Sequence, residues 1–527
     1  MTSSSARTAG APAAAGSLPK QIPYIIGNEA CERFSFYGMR NILTAFLVGW
    51  LLMGTADEQA RQAEAKDVFH VFVMGVYFFP LLGGWLADRW LGKYRTILYL
   101  SLLYCVGHAC LAVFENSKPG FYTGLFLIAL GSGGIKPCVS SFVGDQFDQS
   151  NKHLARVVFD AFYWIINFGS FFASLLIPIT LEIWGPSVAF GIPGLLMFVA
   201  TVIFWMGRKR YVNIPPVAAD PHSITNVAKT ALFARRAGEG RPGLVLAGIG
   251  VALGALSVAA TPTLGFVTAF CLALVLVLAL SGAGVLLQIE RARGAHPDED
   301  IEALRAVLKL LVLFALVTPF WSLFDQKAST WILQARTMEM PGWSWFQSAS
   351  QMQALNPLLV MALIPFNNLV LYPALGRMGI TVTPLRRMTA GIAFSGISWI
   401  VIGALQLALD GGAALSIMWQ ALPYALLTVG EVLVSATGLE FAYSQAPAKA
   451  KGVLMSFWTL SVTIGNLWVL LVNGSVRNPA VESAIASTGI GVTAFQMFFF
   501  AGFAFLAAIA FGLYARRYRM VDHYRAA

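Results

Sequence analysis

Charge is scarce in this chain: Asp, Glu, Lys and Arg make up 12% of 527 residues, against roughly 25% in an average soluble domain. That scarcity excludes an ordinary soluble globular protein. Cysteine is scarce too. The five that exist, Cys31, Cys105, Cys110, Cys138 and Cys271, lie in apolar stretches without metal-type spacing, which excludes a disulfide framework and favours reduced, buried thiols. The signatures of intramembrane chemistry are missing as well. There is no Gly-x-Ser-x-Gly, no His-Glu-x-x-His and no acidic pair beside a large soluble domain, so a protease or lipid-transferase reading has nothing to stand on. Long polar stretches are confined to 208–241 and 290–302.

What is present is apolar. Hydrophobic residues fill 57% of the chain, in about fourteen runs long enough to cross a hydrocarbon core about 30 Å thick at 1.5 Å per helical residue. They lie near 22–52, 67–88, 96–114, 121–143, 157–180, 187–207, 242–262, 264–289, 303–333, 353–375, 385–409, 415–443, 453–474 and 490–514. The net charge of +10 follows topology, and no nucleic-acid partner is expected. About 25 of the 36 Lys and Arg fall on the side shared by both termini, in clusters such as Arg89/Lys93/Arg95, Arg208/Lys209/Arg210, Arg386/Arg387 and Arg516/Arg517/Arg519. The excess of Lys and Arg on cytoplasmic loops then puts both termini in the cytoplasm. The Ser/Ala/Gly-rich segment 1–20 has no apolar core and is expected as a disordered cytoplasmic tail rather than a cleaved signal peptide.

The two polar stretches bracket a pair of spans that hold no charge from 243 to 288. The expected organisation is an N-terminal six-helix bundle (21–210), a cytoplasmic linker (211–241), an inserted transmembrane hairpin (242–290), a C-terminal six-helix bundle (291–515) and a cytoplasmic tail (516–527). Two similar halves around a central cavity are a common transporter plan. The stretch Gly83-Gly84-Trp85-Leu86-Ala87-Asp88-Arg89-Trp90-Leu91-Gly92-Lys93-Tyr94-Arg95 resembles the loop signature of the major facilitator superfamily. Its small residues suit close helix approach, and Asp88 with the basic cluster is placed to lock helix ends.

A charge at mid-bilayer costs roughly 2.5–3.5 kcal/mol on insertion scales, so each should face a partner or a wet cavity. The first span carries Glu29, Glu32, Arg33 and Arg40. At about 100° per residue they share an arc of about 100°, with Glu29 and Arg33 in i,i+4 register and Tyr37 at the border. The fourth span holds Lys136 in Gly131-Ser132-Gly133-Gly134-Ile135-Lys136-Pro137. This is no phosphate loop, because it follows no strand and lacks the nucleotide-binding spacing. Tyr163 and Asn167 lie one turn apart on the fifth span. In the second half, Asp325 lies near the outer end of its span, as an interfacial cap beside Lys327 or as a cavity acid, and Gln353 and Asn356 precede Pro357. Glu431 is mid-span with no basic residue in helical reach, leaving it a distant partner, a proton or a cationic ligand. Cations Arg33, Arg40 and Lys136 on one half against acids Glu431 and Asp325 on the other suit a zwitterion, its carboxylate towards Arg40 and Lys136 and its ammonium towards Glu431.

Two segments then resemble a known family, the proton-dependent oligopeptide transporters (POT/PTR) of the major facilitator superfamily. Glu29-Ala30-Cys31-Glu32-Arg33-Phe34-Ser35-Phe36-Tyr37-Gly38 is similar to its Glu-x-x-Glu-Arg-Phe-x-Tyr-Tyr-Gly signature, with Phe36 in place of the first tyrosine. Phe162-Tyr163-Trp164-Ile165-Ile166-Asn167-Phe168-Gly169-Ser170 resembles Phe-Tyr-x-x-Ile-Asn-x-Gly-Ser. The resemblance implies an all-α polytopic fold of fourteen transmembrane helices in the inner membrane of a bacterium, since the inserted pair is typical of bacterial members. It implies proton coupling through Glu29, Glu32, Arg33 and Lys136, with His70 a further candidate. It implies a peptide carboxylate held by Arg40, Lys136, Tyr37 and Tyr77, an amino end held by Asn167, Asn356 and Glu431, a side-chain pocket lined by Trp458, and a gate at Asp325. Relatives that move nitrate tend to lose the two glutamates; their retention here favours peptides. The expected function is proton-coupled import of di- and tripeptides by alternating access. No cofactor is required and protons are the coupling ion; the bilayer surrounds the chain, which acts as a monomer and not as an enzyme. A drug or metabolite antiporter is the rival, but it has no use for the carboxylate clamp of Arg40 and Lys136.

Overall fold

A computed structural model describes residues 18–147, 152–216, 220–236, 238–445 and 451–520. Residues 1–17 and 521–527 of the two expected tails lie outside the described residues.

The chain opens with α1 (Ile22–Phe46), where Pro23 occupies the first turn and its missing N–H costs nothing. Then come α2 (Glu58–Leu91), α3 (Lys93–Val113), α4 (Lys118–Asp145), α5 (Lys152–Trp184) and α6 (Pro186–Lys209). The starts are capped where the sequence supplies a cap. Asp57 accepts from the amides of Gln59 and Ala60 at 3.3 and 3.0 Å, and Ser117 accepts from Gly120 at 3.4 Å, satisfying amides that the helix itself cannot. A short amphipathic helix, α7 (Ile224–Phe233), lies in the linker. The pair α8 (Pro242–Ala259) and α9 (Phe266–Leu287) follows, and then α10 (Asp298–Ala335), α11 (Ala349–Arg377), α12 (Pro384–Asp410), α13 (Ile417–Ala442), α14 (Leu454–Val476), the short α15 (Pro479–Ala486) and α16 (Val492–Arg517). Between the hairpin and α10, a hydrogen bond from Arg293, helped by Arg305, holds the Glu290 carboxyl below its usual range.

Among the described residues, thirteen helices are long and apolar enough to cross a membrane, and α1 is not one of them. Its length is sufficient, but Glu29, Glu32, Arg33, Arg40 and Asn41 depress its hydropathy. It is nevertheless packed inside the first bundle, with Ile25, Met39, Ile42, Leu43 and Phe46 fully buried, so it is the fourteenth helix expected from sequence. An apolar stripe and an ionic face share one helix because the ionic face has somewhere other than lipid to point.

Two hydrophobic cores result. One gathers residues from 22 to 211 and the other residues from 307 to 511. Ala328, Ile332 and Leu333 of α10 cross over into the first core. The hairpin seats α9 through Cys271 against Met74 of α2 and Leu467 and Leu470 of α14, so it touches both halves.

Glycines set the approach of α2 to α4. A Cβ on Gly83 would lie 2.2 Å from the carbonyl oxygen of Gly134, so only glycine fits that crossing. The small residues of both motifs therefore work as a pair. The lock on that side differs from expectation. Lys93 pairs with Asp145 at the end of α4, at 2.6 Å, and not with Asp88. The cause is Gly92, whose φ of 76° turns the chain into α3 and carries Lys93 towards α4.

Candidate functional site

On α1 the expected ionic face forms. Arg33 Nε lies 3.2 Å from Glu29 Oε1 and donates to Glu32 Oε2, with all three residues buried. Glu32 also accepts from Ser132 of α4 at 3.4 Å, a link that the glycine-rich run of α4 makes sterically possible. Phe36, the departure from the signature, lies beneath Arg33, whose guanidinium carbon is 5.5 Å from its ring centre, and stacks on Phe72 at 6.3 Å. The ring occupies a packed side of α1.

Lys136 stands apart from that trio. Its ammonium rests over the Tyr77 ring, 4.3 Å from the centroid, and among the described residues no carboxylate lies within the 4.0 Å of an ion pair. Glu29, Glu32, Arg33 and Tyr37 remain within electrostatic reach. The four expected coupling residues are therefore three in contact and one poised beside them. A cation on an aromatic face is held weakly, by about 0.5–2 kcal/mol, and stays available to an anion.

Arg40 points away from that cluster and across to the second half, donating to Asp325 Oδ1 at 2.8 Å. The other Asp325 oxygen accepts from Asn466 Nδ2 at 2.8 Å, and Asn466 Oδ1 faces His70 Nδ1 at 2.6 Å. Because the Asn466 oxygen can only accept, His70 donates to it from Nδ1, and its Nε2 lies 2.9 Å from Ser329 Oγ. Arg40, Asp325, Asn466, His70 and Ser329 thus form one buried chain linking α1, α10, α14 and α2. Asp325 is 2% exposed, so the interfacial-cap reading is wrong: the span continues past it.

Further bonds join the halves around this chain. Gln353 donates to the Asn41 carbonyl at 2.9 Å, Thr44 to Ala328 at 2.8 Å, Arg336 to Ala45 at 3.1 Å, and Arg477 pairs with Asp67 at 2.6 Å. All lie towards the end of the bundle opposite Leu18 and Met520, where the described chain begins and ends. Tyr163 and Trp164 of α5 are 44% and 53% exposed.

The second-half acid is not isolated, as sequence proximity suggests. Lys327 Nζ donates to Asn356 Oδ1 at 3.0 Å, and Asn356 Nδ2 donates to Glu431 Oε2 at 2.5 Å and to Thr428 Oγ1 at 3.1 Å. The charge ledger that places cations only on the first half is therefore corrected: Lys327 is a buried second-half cation. A 3-10 turn over Gln326–Ala328 separates it from Asp325, so two neighbours in sequence serve different networks. Glu431 is also within electrostatic reach of Tyr163 and Tyr77.

Two expected site residues make packing or local contacts. Asn167 spends its amide on the Tyr163 carbonyl at 3.0 Å. Trp458 is buried edge-on to Phe314 and Trp321, at 5.4 and 6.0 Å, and covers Gly438. Sequence reasoning named Lys327 only as a neighbour of Asp325 and gave no role to Asn466, Ser329 or Ser132. For Lys327 and Asn466 a signal existed, since both are strongly polar residues in apolar runs. His108 was also missed: it is buried on α3 beside Ser35 Oγ at 2.9 Å. Among the described residues no group of three or more His, Cys, Asp or Glu could hold a metal ion.

The chain is similar to known proteins in sequence and fold. A crystal structure described as an auto-inhibited POT family peptide transporter is 66% identical, with 97% of this chain and 99% of that one covered at a TM-score of 0.94. The in meso crystal structure of the POT family transporter PepTSo is 67% identical over 97% of this chain and all of that one, also at 0.94. Peptide transporter 3 of Caenorhabditis elegans is 32% identical over 406 residues, 74% of this chain and 51% of the relative. Human solute carrier family 15 member 2 is 32% identical over 409 residues, 74% of this chain and 49% of the relative. The chain spans about half the length of the curated relatives it matches. The family model described as POT family, PTR2, matches residues 94–489, and the chain belongs to that family.

Proposed function

We propose that the chain is a proton-coupled symporter that imports di- and tripeptides by alternating access, as a monomer in a bacterial inner membrane with both termini in the cytoplasm. The observation that carries this reading is the cation without a carboxylate. Lys136 sits on Tyr77, while Arg33 is already engaged by two glutamates. A peptide carboxylate entering between the halves would find Lys136 available, and the Lys327–Asn356–Glu431 relay would offer a carboxylate for the ammonium.

Coupling follows from competition. With Glu29 and Glu32 ionised, Arg33 is satisfied internally. Protonating one of them loosens that pair and raises the pull of Arg33 and Lys136 on an anion. Closing the cavity over unpaired charge would cost several kcal/mol, so peptide and proton together permit closure and either alone resists it. The two halves, 21–210 and 291–515, rock about the site, with the chain Arg40–Asp325–Asn466–His70 closing the outer end.

Binding of Ala-Ala against N-acetyl-Ala-Ala by the purified protein tests the substrate assignment. The free amine should bind at least tenfold more tightly; equal binding would remove the reason to place an ammonium at Glu431.

A further inference from the structure

The first turn of α12, just after the turn from α11, carries an arginine that the transport reading does not use. It borders a cavity of about 430 Å³ lined by Tyr372, Gly376, Gly379, Thr381 and Arg387 among others. Gly379, at φ 75°, turns the chain there, a conformation that favours glycine. Arg386 is committed to the wall, donating through Nη1 to the Thr381 carbonyl and hydroxyl at 2.8 and 2.7 Å. Arg387 is not committed. Its guanidinium carbon lies 3.9 Å from the centre of the Tyr372 ring, its Nε is buried without a hydrogen-bond partner, and among the described residues no carboxylate is within ion-pair distance of Arg377, Arg386 or Arg387. A stacked guanidinium keeps its in-plane N–H fork for a planar or tetrahedral oxyanion, and an unsatisfied buried N–H is costly enough to call for a partner.

The surroundings identify the oxyanion. Ile380 lines the cavity, and Leu369, Val370 and Met378, close to its lining residues in sequence, have their apolar side chains exposed, Leu369 at 76% and Met378 at 73%; such residues in a spanning chain face acyl chains. Unpaired arginine next to an acyl-facing surface is the chemistry of a lipid headgroup.

We propose that this cavity binds the phosphate of an anionic phospholipid, with the Arg387 fork on the phosphate oxygens, Tyr372 holding the guanidinium in plane, and the acyl chains along the Leu369 side of α11. The site lies on the same side of the membrane as the chain ends, because α11 enters the turn from the far side and α12 leaves it in return. Its occupant joins the two helices at a turn that moves with the second half during rocking.

Native mass spectrometry of the purified full chain in detergent, titrated with phosphatidylglycerol or phosphatidylcholine, reads this site without any transport assay. The wild type should retain one phosphatidylglycerol in preference to phosphatidylcholine. Arg387→Ala should weaken that retention about tenfold, while Arg235→Ala, an equal loss of charge on the linker, should leave it unchanged. Arg387→Lys, which keeps the charge without the fork, should recover only part. Equal retention by all four proteins, equal weakening by the two alanine variants, or full recovery by lysine would overturn the proposal. So would displacement of the lipid from the wild type by millimolar inorganic phosphate, which would make the site one for a free anion.

Discussion

The two halves of the molecule solve the same problem, burying charge in an apolar bundle, in opposite ways. In the first half most of the buried charge comes from a single helix. Glu29, Glu32 and Arg33 neutralise one another within α1 and leave Lys136 of α4 as the spare cation. In the second half, among the described residues, the buried Glu431 is joined to its cation across helices. Glu431 of α13 reaches Lys327 of α10 only through Asn356 of α11. A local cluster can change its internal pairing when a proton arrives without moving a helix. A cluster assembled from three elements changes only if those elements shift. The first half therefore suits proton sensing, and the second suits registering a ligand and transmitting its arrival to the bundle.

That division can be broken experimentally. The largest effect is expected from Lys136→Ala, which removes a first-half cation that, among the described residues, has no carboxylate partner; gradient-driven dipeptide uptake in proteoliposomes should fall to background. Next come Glu29→Gln and Glu32→Gln, whose side chains cannot change charge. At least one of them should lose concentrative uptake yet retain peptide exchange across the membrane; full accumulation in both would move coupling out of α1. Glu431→Gln keeps the shape and hydrogen bonding of the relay but drops its charge. Removing one partner of a buried pair typically costs about 3–5 kcal/mol, and even half of that exceeds tenfold in affinity, so the preference for Ala-Ala over N-acetyl-Ala-Ala should vanish. The smallest effect belongs to the closed end. Asp325→Asn strands Arg40 and should lower the melting temperature by several degrees, measured by intrinsic tryptophan fluorescence, whereas replacing Arg40 and Asp325 together should restore part of the loss because no buried charge is left alone. Equal melting in the single and double variants would mean the pair is not buried in the working protein.

The same contrast explains what could be read from the chain alone. The ionic face of α1 was legible because helical spacing is a local rule, and i,i+4 register alone brings Arg33 to Glu29. The glycines at 83 and 134 were legible as close-packing residues, but that they meet each other is a tertiary fact. The second-half relay was not legible. Lys327 looks like a neighbour of Asp325, and only the tight turn between them sends the two side chains into different networks. Asn466, which connects His70 to Asp325, and Ser329, which contacts the other ring nitrogen of His70, lie far from His70 in sequence and carry no motif. The helix hardest to recognise by hydropathy, α1, is the one that the charge pattern marks most clearly, because the residues that spoil its apolar average are the ones that face its interior partners.

The central claim is that a proton gradient drives peptide inward through the first-half cluster. Uptake of labelled dialanine by proteoliposomes, with an imposed proton gradient and with the gradient collapsed by a protonophore, tests it directly. The account predicts accumulation above the external concentration with the gradient, only equilibration without it, and only equilibration with the gradient in at least one of Glu29→Gln and Glu32→Gln. Accumulation that persists in the wild type after the gradient is collapsed would contradict it.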